Sequence, residues 1–126
     1  MGDRANFGFK DRKGDTIFLY GHWAGHRMLE NLANAVEQAR PRWTDESYAT
    51  RICISQLINE EWPSETGWGI NVNELGDNEH KVPIINWSEK TFTLMEEDLQ
   101  TEVFSTSLEA FVAKYSSQLS LSLIHI

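Results

Sequence analysis

The sequence predicts an α+β domain: a mainly antiparallel five-stranded sheet with three helices packed on one face, in the order ββααβββα. Three observations carry this reading. Short runs of aromatic and β-branched residues occur in pairs around polar turns, two segments with apolar residues at helical spacing lie between those pairs, and a third such stripe follows the last pair. With 126 residues, 40% hydrophobic and 11% aromatic, the chain holds material for one core, expected as a single domain over residues 1–120. No run approaches the roughly 20 apolar residues needed to cross a bilayer.

Ala5 to Lys10 and Thr16 to Tyr20 form the first pair, joined by the polar turn Asp11-Arg12-Lys13-Gly14-Asp15. After Gly21-His22-Trp23-Ala24-Gly25, apolar residues at Met28, Leu29, Leu32, Ala33, Val36 and Ala39 recur at helical spacing until Pro41. Thr44-Asp45-Glu46 then supplies a cap and first-turn acids, which suit the positive end of a helix dipole. The helix that follows, through Tyr48, Ala49, Ile52, Cys53, Ile54, Leu57 and Ile58, is apolar on more than one side. It is expected to be the more buried of the two and to stop before Trp62-Pro63. Trp68 to Asn73 alternates around glycine as a strand, and Gly76-Asp77-Asn78 reads as a turn. Val82 to Trp87 and Thr91 to Glu96 make a second hairpin around Ser88-Glu89-Lys90. Thr106 and Glu109 have the spacing of a capping box, and Leu108, Phe111, Val112 and Tyr115 form one apolar stripe for a third helix.

Residues 121–126, LSLIHI, match the in-frame translation of a transposase adapter used in sequencing libraries. They are set aside from the fold as an expected assembly scar, which implies a metagenomic source and a lost natural C-terminus. The start, MGDRANFGFK, lacks the basic end and apolar block of a secretory signal. The one cysteine, Cys53, excludes an internal disulfide and any zinc site needing two cysteine ligands, so a reducing, cytoplasmic compartment is expected.

A net charge of −8 argues against broad attraction to long nucleic acid or to anionic lipid. The charge is uneven: the chain is +1 through Arg51 and −9 beyond it, and all six arginines lie in the first part. Acidic residues can simply decorate solvated faces in the second part. The sharper reading is a local arginine-lined site for a small anion, since guanidinium groups grip phosphate through paired hydrogen bonds.

His22, His26 and Glu30 fall four apart and would share a helix face, but glycines interrupt that stretch, so no metal ligation is assigned. No P-loop or GxGxxG pattern is present, and Cys53 reads as an inert core thiol. The tryptophans are more informative: Trp23, Trp43, Trp62, Trp68 and Trp87 all sit at or near element ends. Flat rings beside arginines such as Arg27, Arg42 and Arg51 are the materials for stacking a base while pairing its phosphates. The same rings could instead bridge layers or fill a homodimer interface.

Four stretches then support a resemblance: Met1-Gly2-Asp3-Arg4-Ala5-Asn6, Leu19-Tyr20-Gly21-His22-Trp23-Ala24-Gly25, the block from Arg42 to Arg51, and Thr66-Gly67-Trp68-Gly69-Ile70. From Met1 to about Tyr115 the chain resembles a family of small bacteriophage and actinobacterial proteins. The resemblance carries over no activity and no catalytic residue. It does imply a context, because small phage proteins with compact pockets include sponges that withhold the nucleotide signals of bacterial immune systems. The expected function is therefore non-enzymatic counter-defence: binding and sequestering a cyclic nucleotide or ADP-ribose derivative, with Arg4, Arg27, Arg42 and Arg51 neutralising phosphates, Trp23 and Trp43 stacking on bases, and His22 making one hydrogen bond. No cofactor, metal or membrane partner is assigned. The alternatives are a phosphodiesterase or other hydrolase using His22 or His26, and an acidic inhibitor of a host protein.

A homo-oligomer is also expected, since a small tryptophan-rich domain gains core by pairing. Light scattering should return a multiple of 14.5 kDa, and a single-chain mass across a wide concentration range would remove that expectation.

Overall fold

The computed structural model describes residues 2–117, so the end of the expected domain at 120 and the 121–126 tail lie outside the described residues. The elements run β1 (Ala5–Lys10), β2 (Thr16–Gly21), α1 (Met28–Gln38), α2 (Glu46–Ile58), β3 (Trp68–Val72), β4 (Val82–Asn86), β5 (Thr91–Met95), β6 (Glu102–Ser107) and α3 (Leu108–Tyr115). The α+β class is as the sequence predicts. The sheet differs in two respects: it has six strands, in the order β3-β2-β1-β4-β5-β6, and it is mixed, because β1 and β4 pair parallel while the other neighbours pair antiparallel.

The sixth strand has a physical reason to escape notice. Glu102 to Ser107 is exposed at nearly every position, so it shows no alternation of apolar and polar residues, and it holds its place through pairing with β5. It also displaces the expected capping box. Thr106 belongs to β6, and Ser107 is the residue that caps α3, its side chain accepting the Ala110 N–H at 3.1 Å.

All three helices pack on the face carrying Ala5, Phe7, Phe9, Leu19, Ile85, Trp87 and Phe92. Helix α1 buries Met28, Leu32, Ala33, Ala35 and Val36, and the short 3₁₀ turn Arg40–Arg42 with Pro41 ends it. Helix α2 buries only Ala49, Cys53, Ile54 and Ile58, so it is less buried than its composition suggests, and Tyr48 stands exposed on it. One tryptophan bridges layers: Trp87 stacks on Phe9 of β1 while its Nε1 donates to Thr50 Oγ1 of α2 at 2.9 Å, whereas Trp43 Nε1 donates within the helical layer, to the Val36 carbonyl at 2.8 Å.

Strand β1 lies at the centre and carries Asn6, a fully buried polar side chain. Its amide donates to the Asp77 carbonyl at 3.0 Å and to Asn78 Oδ1 at 3.2 Å, and it accepts the Gly76 N–H at 3.1 Å. The loop from Asn73 to Lys81 is thereby tied across the face opposite the helices. Asn6→Ala leaves these loop groups unpaired in a buried place, and a loss of about 1–3 kcal/mol is expected, read as a lower urea midpoint at unchanged slope.

Candidate functional site

The residues singled out by the sequence separate into two groups. Arg42, Trp43 and Arg51 gather around the first two turns of α2. Arg4, His22, Trp23 and Arg27 lie toward the other end of the sheet, where β1 begins and β2 ends.

The α2 end is built from three chain segments. Asp45 caps the helix, its side chain accepting the Tyr48 N–H at 3.5 Å. Glu46 reaches across to the β1–β2 turn, where it accepts the Arg12 N–H at 3.0 Å and stands 3.8 Å from the Arg12 guanidinium. The β4–β5 turn adds Lys90, which occupies the left-handed region at φ 55. Together they enclose a cleft of about 720 Å³ bordered by Arg12, Arg42, Trp43, Glu46, Trp87 and Lys90. Among the described residues neither Arg42 nor Lys90 has a carboxylate partner. The Arg42 guanidinium lies 5.3 Å from the centre of the Tyr48 ring, within cation–π range. Trp43 is only 8% exposed and Arg40 sits 4.4 Å over its ring, so it forms cleft wall and offers no open face.

A second cleft, of about 450 Å³, adjoins the first across Glu46 and Ser47. Its floor is apolar, with Phe9, Ile17, Ile54 and Ile70, and Trp62 and Arg51 stand at its edge. Arg51 makes only a local bond to Ser55 Oγ at 3.2 Å, and Trp62 is exposed.

At the other end, the N-terminal segment lies against the loop after β2. Asp3 N–H donates to the His22 carbonyl at 2.8 Å, and Gly25 N–H donates back to the Asp3 carbonyl at 2.8 Å. Arg4 is committed to ion pairs with Asp77 at 3.4 Å and Glu79 at 3.3 Å. The Arg4 backbone N–H at 2.8 Å, with the guanidinium beside it, holds the Glu79 carboxyl below the usual carboxylate range. Arg27 is exposed, adopts φ 57 before α1 and lies 4.0 Å from Glu30. Because α1 begins only at Met28, His22 and His26 are loop residues and share no helix face with Glu30. His22 Nδ1 is engaged by the Tyr20 hydroxyl at 2.8 Å. No group of three His, Cys, Asp or Glu side chains that could hold a metal is found among the described residues. Burial pushes the Cys53 thiol far above its ordinary value, so no thiolate is on offer.

Sequence reasoning missed Arg12, Lys90 and Trp62 as site residues, and it missed His80, whose Nε2 meets Asp3 Oδ1 at 2.5 Å. Arg12 and Lys90 come from short hairpin turns, and the Asp3–His80 pair joins positions too far apart in sequence for spacing to relate them. Gly25 packs its backbone directly on that pair, where an added Cβ would overlap both side chains. Gly25→Ala is accordingly expected to cost about 1–3 kcal/mol, seen as a drop in melting temperature. An unchanged melting temperature would mean the pair moves aside freely.

Comparisons of the chain with protein-family models, with curated proteins and with solved structures find no match. No helix among the described residues is long and apolar enough to cross a membrane.

Proposed function

We propose that this chain is a non-enzymatic binding protein for a small phosphate-bearing nucleotide, held across the start of α2. Phosphates occupy the cleft of Arg12, Arg42 and Lys90, and the base lies in the adjoining apolar cleft against Trp62 and Ile70, with Arg51 at its edge. The observation that carries this reading is the convergence of two carboxylate-free cations, Arg42 and Lys90, on a cleft that continues past Ser47 onto an apolar floor. Asp45 and Glu46 line the same cleft, so its three cations face two carboxylates, and on a chain of net charge −8 that small local excess of cation favours an anion.

Lys90 supports it from a second direction. A non-glycine residue at φ 55 costs stability that glycine would avoid, and such strain tends to be kept where a side chain is needed. Sequestration of a nucleotide immune signal, the role that the phage-protein resemblance implies, is a use for such binding.

The test is incubation with cyclic dinucleotides, cyclic trinucleotides and cyclic ADP-ribose isomers, followed by heat release and mass spectrometry. Intact ligand should return in proportion to protein. Arg42→Ala should weaken binding by about 1.5–3 kcal/mol, and the affinity should fall with added salt. Lys90→Gly should hold or raise the melting temperature while weakening binding, which separates its charge from its structural role. Catalytic loss of the ligand, or no binding to any of these anions, overturns the proposal.

A further inference from the structure

A pocket of about 450 Å³ lies between the end of β2 and the loop preceding β3, and its chemistry is the reverse of the α2 clefts. Tyr20, His22 and Trp23 supply rings, Glu61 supplies a carboxylate, Ser64 and Thr66 supply hydroxyls, and no lysine or arginine lines it.

The rings meet at steep angles. His22 and Trp23 have centroids 4.7 Å apart at 84°, and Tyr20 and His22 lie 6.3 Å apart at 66°. Trp23 is 61% exposed, so folding leaves much of a large π surface uncovered. The residues flanking it are nevertheless pinned. Asp3 N–H and His22 N–H bond to His22 and Gly67 carbonyls at 2.8 Å each, Ala24 N–H reaches the Gly21 carbonyl at 3.4 Å, and Gly25 N–H reaches Asp3 at 2.8 Å. Glu61 is positioned by accepting Trp68 Nε1 at 2.9 Å, a bond that fixes the carboxylate without neutralising it. An open indole face beside a carboxylate that has no cation partner attracts a cation and repels an anion.

We infer that this pocket is a second binding site, for an organic ammonium ion, which rests on the Trp23 ring beside Tyr20 and is balanced in charge by Glu61. The site is independent of the nucleotide reading, and its ligand carries the opposite charge. Two sources of the group are distinguishable: a free quaternary amine, or a methylated lysine side chain presented by a peptide.

The experiment titrates the full chain with choline and with its neutral isostere 3,3-dimethylbutan-1-ol, following the indole N–H resonances by NMR. Choline should shift the Trp23 signal saturably and bind about tenfold tighter than the alcohol, since only the cation gains from the ring quadrupole and Glu61. Trp23→Leu should abolish the preference, Trp23→Phe should keep part of it, and Glu61→Gln should reduce it about threefold or more. The paired Leu and Phe variants, compared by melting temperature, keep the result readable if one destabilises the loop. A trimethyllysine peptide binding well beyond choline would assign the ammonium group to a partner chain, and equal affinities would assign it to a free amine. Equal binding of choline and the alcohol, or no saturable shift at Trp23 with any cation, overturns the inference.

Discussion

The parallel pairing of β1 with β4 is the contact on which the rest of the molecule depends. Each hairpin, β1–β2 and β4–β5, is local in sequence and could form alone, yet neither presents a face wide enough to bury three helices. Joining their first strands in the register Gly8↔Ile84, Phe9↔Ile85 and Lys10↔Asn86 places Phe7, Phe9, Ile85 and Trp87 side by side as the floor for α1, α2 and α3. Asn6 then works on the reverse face. A polar group buried in a central strand is tolerable only when fully bonded, and its partners are the Asp77 carbonyl, the Gly76 N–H and the Asn78 side chain of the loop that leads into β4. The seam and the tether therefore support each other, with Arg4 and Asp3 adding charged contacts to the same loop at its exposed rim.

Much of this was legible in the sequence where the pattern is local. The stripe from Met28 to Ala39 has one face to bury and one residue, Pro41, to stop it, and the structure follows both. The two hairpins are equally plain, because aromatic and β-branched runs flank short polar turns. Which strands of separate hairpins join is a different matter, since β1 and β4 are both apolar and either edge of either hairpin could pair. The structure joins β1 to β4, a pairing no local pattern specifies. β6 was illegible for the opposite reason: apart from Phe104, whose ring lies 5.6 Å from buried Phe92, the strand is exposed and held by pairing, with Ser105 Oγ and Thr93 Oγ1 bonded at 2.9 Å.

The site was legible in outline only. Arg42 and Arg51 stood out as arginines in one distinctive block, and α2 sets them on neighbouring clefts. Trp43 lies in the same block, but its indole N–H is spent on Val36 and its ring on Arg40, so one residue's proximity in sequence became structure and the next became surface. Lys90 carries no sequence signal at all. Only its left-handed backbone, in a turn that also accepts the Leu108 N–H at 2.9 Å, marks it as a position where lysine is an expensive choice.

The charge asymmetry of the chain takes on meaning from this arrangement. The arginine-rich first part supplies Arg12 and Arg42 to one end of β2, while Glu61, from the acidic second part, flanks the other. Six residues of strand separate those ends by about 17 Å, roughly twice the Debye length of about 8 Å at physiological salt. Charge placed in one pocket is therefore largely screened from the other, and the two can hold ligands of opposite sign without mutual cancellation. The two pockets come together in the chain at Glu61 and Trp62, successive residues that line the one and the other. Glu61 accepts the Trp68 Nε1 hydrogen at the start of β3, so the segment carrying Glu61 and Trp62 is tied to the sheet beside both pockets.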